Sequence, residues 1–174
     1  RAVIGLSLGD AMQIMFADIS PTEEATLVQA YRERYFTKQV SRDDLFEGVY
    51  GMLDTLQEQG YRLAIATGKN RSGLRHAMQA TDTVALFCET RCSDETASKP
   101  HPRMLLEIMA ATGIAPERSL MIGDSVHDLK MASNAGVASI AVCCGANSRD
   151  QLLAHSPLHC LSNTVQLLDL LRAC

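Results

Sequence analysis

The most constraining stretch of this sequence runs from Ser119 to Gly136, SLMIGDSVHDLKMASNAG. Residues 120–122 form a short apolar run that ends at a glycine, which is typical of a buried strand. Asp124 follows at the carboxyl end of this strand, and apolar residues then resume at helical spacing. A strand, a tight turn and a helix in this order make half of a βαβ unit. The stretch therefore predicts a parallel sheet covered by helices.

Asp124 and Asp128 admit two interpretations. Open α/β sheets bind ligands at the carboxyl ends of their strands, and two carboxylates four residues apart can hold a hard cation such as Mg²⁺. Aspartates at a helix start also cap the backbone and are stabilised by the helix dipole. The pair by itself leaves both interpretations open.

The rest of the chain indicates an α/β fold with a Rossmann-like parallel sheet, preceded by a helical module. Strands are expected at residues 62–66, 86–91, 120–122, 138–142 and 158–161, alternating with helices at 70–79, 102–111, 126–135 and 165–171. A further helix is expected to start at Asp43 or Asp44 and to end at Gly60.

Residues 1–42 contain only helical patterns. Ser20-Pro21-Thr22-Glu23 predicts a helix start, with Ser20 and Glu23 forming a capping box and Pro21 at the first helical position. Tyr31 and Tyr35 follow at helical spacing and are expected to lie in the core of this module.

Composition excludes several function classes. The net charge of −4 and the pI of about 5.7 argue against a nucleic-acid partner. The sequence has no apolar run of about 20 residues, so no membrane partner is expected. Six cysteines lack the spacing of a zinc site or a disulfide framework, which predicts thiols in a reducing, cytoplasmic compartment.

Two further strand ends carry polar groups. Thr67-Gly68-Lys69 follows the first strand, where a hydroxyl and backbone amides could cradle an anion. Lys99 lies between stiffening prolines in SKPHP and could neutralise a phosphate. Each alone also fits an ordinary turn or a solvated lysine. Together with the aspartate pair they suit a phosphate ester bound near magnesium.

The motifs AIATGK, SKPHP and MIGDSVHDLKMASNAG resemble, in order and spacing, the haloacid dehalogenase-like hydrolase superfamily, specifically its phosphoglycolate-phosphatase-like members with a helical cap. The resemblance implies that Thr67, Gly68, Lys69 and Lys99 bind phosphate, with Thr67 and Lys99 catalytic, and that Asp124 and Asp128 hold Mg²⁺. It also implies a partial cap at residues 1–42 and an α/β core at residues 43–174.

The family's first motif, Asp-x-Asp-Gly-Thr on a central strand, is absent from this sequence. It carries the aspartyl nucleophile, a general acid/base and a magnesium ligand, and is expected upstream of Arg1. Without that strand, a gap of roughly 10 Å should separate the strands ending at Thr67 and Asp124. The chain alone is then expected to be inactive and poorly folded, or completed by a partner.

The resemblance implies Mg²⁺-dependent hydrolysis of a small phosphorylated metabolite through an aspartyl-phosphate. A dehalogenase needs no cation, so the aspartate pair argues against it, whereas a phosphomutase shares every motif present. The alternative from another class is a non-catalytic binding or regulatory module, or an inactive fragment of the phosphatase. The sequence does not indicate an oligomeric state.

Overall fold

The computed structural model describes residues 3–37 and 39–172. The α-helices are α1 (Leu8–Met15), α2 (Pro21–Thr37), α3 (Val49–Glu58), α4 (Arg71–Ala80), α5 (Arg103–Thr112), α6 (Val126–Asn134), α7 (Arg149–Leu153) and α8 (Leu167–Arg172). The strands are β1 (Ala64–Thr67), β2 (Glu89–Cys92), β3 (Leu120–Gly123), β4 (Ala138–Val142) and β5 (His159–Leu161). None of the described helices is long and apolar enough to cross a membrane.

The strands form two separate parallel ladders. β1 pairs with β2, placing Ala64 opposite Glu89, whereas β3, β4 and β5 pair in that order. No ladder joins β1 to β3 within the described ranges. The predicted α/β class and parallel strand direction are confirmed, and so is the predicted break between these two strands.

A cavity of about 660 Å³ occupies this break. Its walls include residues 64–66 of β1 and residues 120–123 of β3, and we call it the central slot. Leu56 from α3 and Ile108 from α5 also line it. Strand edges present backbone N–H and C=O groups that need partners, so the slot combines apolar side chains with two sheet edges.

Helices cover both faces of the strands. On one face, Met104 of α5 packs with Met131 and Ala132 of α6, all fully buried. On the other, Met52 and Leu56 of α3 pack with buried residues of β4 and α8. The continuous apolar strands predicted from the sequence are explained by this burial on two sides.

The helical module differs in part from the prediction. The capping box at the start of α2 is present, since Ser20 N–H donates to Glu23 Oε2 at 3.0 Å and Glu23 N–H donates to Ser20 Oγ at 3.3 Å. The core placement of Tyr31 is wrong, because its side chain is 54% exposed. The 17-residue α2 packs mainly against α1, which has 8 residues and covers only part of its length.

Two predictions about helices needed correction. The helix expected from Asp43 or Asp44 starts at Val49, since a capping box at Ser41 closes only one 3₁₀ turn and Gly48 then adopts φ = 76°. The prediction also missed α7, although Ser148 and Gln151 form a capping box that the sequence displays.

Truncation of Leu129 should show how strongly the sheet depends on α6. Leu129 is 1% exposed and packs on buried Ala141 and Leu152, so we expect Leu129→Ala to lower the free energy of unfolding by about 2–5 kcal/mol. Urea denaturation measures this. Leu158→Ala is the matched control, because Leu158 is 63% exposed and its loss should cost under about 0.5 kcal/mol. An equal decrease in the free energy of unfolding for both variants would contradict the packing of Leu129 against the sheet.

Candidate active site

The turn after β1 presents a threonine hydroxyl. Lys69 N–H donates to Thr67 Oγ1 at 3.1 Å, so this hydroxyl already accepts one hydrogen bond and keeps its own proton to donate. Ser93 Oγ donates to the Gly68 carbonyl at 2.8 Å and fastens the turn to the segment after β2. Thr67 is therefore a positioned donor at a strand end.

Lys69 directs its ammonium group toward the helical module. Its Nζ donates to the Tyr35 hydroxyl at 3.0 Å and lies 4.6 Å from the centroid of that ring. The lysine side chain thus links the turn after β1 to α2. Its predicted contact with phosphate stays a prediction, and its backbone amide is committed to Thr67.

A buried ion pair lies beside the start of α6. Lys99 Nζ is 2.6 Å from Asp128 Oδ1, and the two side chains are only 8% and 5% exposed. Asp128 Oδ2 accepts hydrogen bonds from Ser125 Oγ at 2.8 Å and from Ser125 N–H at 3.2 Å. Both oxygens of Asp128 therefore face protein donors. The capping interpretation of Asp128 is confirmed, and its role as a metal ligand stays a prediction.

Asp124 is held by a loop that the sequence analysis did not identify. Residues 143–147, which we call the site loop, follow β4. The Ala146 N–H donates to Asp124 Oδ2 at 2.8 Å, and the Asn147 N–H donates to the Asp124 carbonyl at 3.2 Å. A Cβ on Gly145 would collide with the Asp124 carboxylate. The sequence feature that could have indicated this loop is Gly145, which lies three residues beyond the end of β4.

The segment before α1 brings these groups together. The carbonyls of Gly5 and Leu6 lie so close to Gly68 that a Cβ there would collide with Leu6. On its other side, Gly5 lies against Ser125, whose Oγ would be 2.8 Å from a Cβ built on Gly5. Gly68 and Ser125 therefore face one another across this segment, at the carboxyl ends of β1 and β3. No pattern in the sequence indicates this contact.

Asp124 can supply one carboxylate to a cation. Its Oδ1 accepts no hydrogen bond from the described residues, in contrast to both oxygens of Asp128. No group of three His, Cys, Asp or Glu side chains gathers into a complete metal site within the described ranges. Mg²⁺ commonly takes one or two carboxylates and fills its shell with water and substrate phosphate. The residues present fit that partial donor set.

The model of the family described as haloacid dehalogenase-like hydrolase matches residues 1–142. The chain belongs to this family. It is 36% identical over 163 residues to a protein of Dickeya dadantii described as a probable phosphatase, IndB, with 90% of this chain and 70% of that protein covered. It is 27% identical to pyrophosphatase PpaX of Anoxybacillus flavithermus, covering 94% of this chain and 77% of PpaX.

Solved structures support the same fold. A hydrolase of Pseudomonas syringae superposes with a TM-score of 0.83 at 19% identity, covering 99% of this chain and 80% of that one. At this identity the likeness concerns the fold alone. The family and the fold predicted from the sequence are confirmed, and the predicted enzyme class, a phosphatase, agrees with the curated relatives.

Asp128→Asn should destabilise the protein by leaving the Lys99 charge buried without its counter-charge. We expect the free energy of unfolding to fall by about 3–5 kcal/mol in urea denaturation. Asp169→Asn is the control, since that side chain is 86% exposed. A double variant, Lys99→Met with Asp128→Asn, should recover part of the loss because no lone charge remains. Similar stability of Asp128→Asn and wild type would contradict a buried ion pair.

Proposed function

We propose that this protein hydrolyses phosphate monoesters of small metabolites with the help of Mg²⁺. The observation that carries the proposal is the buried Lys99–Asp128 pair, placed where the carboxyl ends of β1 and β3 face each other. A buried cation, a hydroxyl donor and a carboxylate at one sheet edge match the charges of a phosphoryl group and its counter-ion. Membership of the family supports this assignment.

Each side chain has a distinct role in the proposal. Thr67 donates its hydroxyl proton to a phosphoryl oxygen, and Lys99 neutralises the charge that develops during transfer. Asp128 acts through Lys99, whose ammonium it fixes at 2.6 Å. Asp124 would hold Mg²⁺, which when bound neutralises charge on the phosphoryl oxygens. Ala146 orients the Asp124 carboxylate through its 2.8 Å hydrogen bond.

The proposed reaction needs a nucleophile, and among the described strands only β3 is directly followed by an aspartate, Asp124. The central slot offers a place for a strand that would bring a second aspartate. We propose that an apolar strand enters the slot parallel to β1 and β3 and pairs with both edges. Its carboxyl end would then lie between Thr67 and Asp124. An aspartate at that end would attack phosphorus, and the P–O bond to the alcohol would break, with the second aspartate of the motif protonating the departing alcohol. Water would then hydrolyse the aspartyl-phosphate to inorganic phosphate and restore the carboxylate.

The segment at Gly5 and Leu6 limits the size of the substrate. Its carbonyls lie against Gly68, so this segment covers part of the carboxyl end of β1. This favours a small ester over a macromolecular one. Phosphoglycolate is our proposed substrate, on the resemblance of the motifs described above. A cytoplasmic setting is proposed because the six cysteines lack the spacing of a disulfide framework.

The proposed entry of a strand into the central slot can be tested with a synthetic peptide, which has a short apolar sequence ending in Asp-x-Asp-Gly-Thr. We expect the chain alone to release no phosphate from p-nitrophenyl phosphate, and the chain with peptide to do so in the presence of Mg²⁺. A peptide whose first aspartate is replaced by asparagine should bind equally, measured by calorimetry, yet give no hydrolysis. Binding of both peptides without hydrolysis would favour the non-catalytic module, and failure of both to bind would contradict the proposed strand.

Variants of the complemented protein test the individual roles. Thr67→Ala should lower kcat by about 100-fold because one donor to the phosphoryl group is lost.

Asp124→Asn should raise the Mg²⁺ concentration needed for half-maximal activity by at least about 10-fold. The exposed Asp54 in α3 provides the control, since Asp54→Asn should leave both quantities unchanged. An unchanged Mg²⁺ dependence in Asp124→Asn would remove Asp124 from the proposed cation site.

A further inference from the structure

Two thiols meet at the carboxyl end of the three-stranded ladder. Cys143 directly follows β4, Cys160 lies in β5, and their Sγ atoms are 2.9 Å apart. Both residues are half-buried, and the described cysteines are free thiols. A disulfide bond is about 2.05 Å long, so the two sulfurs need to approach by less than about 1 Å.

The position of Cys143 couples this pair to the candidate active site. Cys143 is the first residue of the site loop, and its N–H donates to the Leu161 carbonyl at 2.8 Å. Three residues later, the Ala146 N–H holds the Asp124 carboxylate. Any bond made by the Cys143 side chain therefore acts on the loop that orients Asp124.

The other described cysteines lack this arrangement. Cys92 is fully buried, and burial raises the pKa of its thiol to about 11, so it is unreactive near neutral pH. Cys88 is exposed, and its Sγ donates to the Leu63 carbonyl at 3.3 Å. Cys144 is half-buried in the site loop and contacts no second thiol among the described residues.

We propose that Cys143 and Cys160 are a redox-sensitive pair that closes to a disulfide by exchange with a low-molecular-weight disulfide. The Cys143 thiolate attacks one sulfur of the small disulfide, whose S–S bond breaks and releases one thiolate, which takes up a proton. Cys160 then loses its proton and attacks Sγ of Cys143, which releases the second small thiol. Two protein thiols are oxidised, and one small disulfide is reduced to two thiols.

The environment of Cys160 suits it to the second of the two attacks. Burial, followed by its contact with Cys143, raises the pKa of the Cys160 thiol, while the charge of Arg149 acts weakly in the opposite direction. A raised pKa leaves less of Cys160 as thiolate near neutral pH, which disfavours its attack on a reagent in solution. Its attack becomes effective in the second step, when the sulfur of Cys143 already lies against it.

Closure of this bond should slow catalysis, a consequence that rests on the proposed function. The disulfide draws the start of the site loop toward β5, and the Ala146 N–H moves with it relative to Asp124. Small displacements of a positioning group are costly in enzymes. The oxidised, peptide-complemented protein should hydrolyse p-nitrophenyl phosphate at least several-fold more slowly, with full recovery after dithiothreitol.

The test is oxidation of the native chain with glutathione disulfide, followed by blocking of remaining thiols and mass spectrometry without reduction. We expect a mass decrease of two hydrogens before blocking, and a cross-linked peptide containing Cys143 and Cys160. In Cys160→Ser the reaction should stop at a glutathione adduct on Cys143. Cys144→Ser and Cys88→Ser are the controls and should give the same cross-link as wild type.

The outcomes separate this proposal from the proposed function. Wild-type protein that keeps glutathione on Cys143, or cross-links through Cys144, would overturn the pairing without reference to activity. A cross-link with unchanged hydrolysis would overturn the coupling to Asp124. Absence of hydrolysis in the reduced, complemented protein would contradict the phosphatase function, while the cross-link would still report on the thiol pair.

Discussion

Backbone hydrogen bonding across the sheet is the constraint on which this structure depends. β1 and β3 each pair on one side only, and their other edges face the central slot. Backbone N–H and C=O groups at a strand edge destabilise the fold if they are buried without hydrogen-bond partners. If they stay exposed, they can pair with another strand. The slot is lined by apolar side chains such as Ile65 and Met121, so a strand entering it would satisfy both requirements.

The same constraint organises the chemistry. The strands run parallel within each ladder, and the segment at Gly5 and Leu6 lies against both Gly68 and Ser125, so the groups that follow β1 and β3 lie near one another. Thr67 and Asp124 reach that edge directly, whereas Lys99 reaches it from the loop before α5. Its charge is tolerated at 8% exposure because Asp128 lies 2.6 Å away and is itself fixed by Ser125. A buried cation of this kind lowers the stability of the fold unless a carboxylate lies beside it.

Close backbone approach gives the site its precision. Gly145 lets the site loop reach Asp124, and Gly68 lets the segment at Leu6 cover the turn after β1. Neither position has room for a Cβ. The site loop also begins at Cys143, so the orientation of Asp124 and the state of the thiol pair share one segment of backbone.

Patterns in the sequence predict the α/β class and the parallel strands, and the missing first motif of the family predicts the break in the sheet. The class and the strand direction follow from local patterns such as the apolar run before Asp124, whereas the break follows from the resemblance to the family. The sequence also identified Thr67, Lys99, Asp124 and Asp128 as one set, because their motifs keep a fixed order.

The contacts that orient the site residues depend on the tertiary structure, because they join residues far apart in the chain. Asp128 faces Lys99 rather than open space, and Lys69 turns toward Tyr35 of α2. The hydrogen bond from Ala146 N–H to Asp124 and the contact between Cys143 and Cys160 both require β4 to lie between β3 and β5. Local periodicity carries no information on such pairings, since each depends on where two distant segments come together.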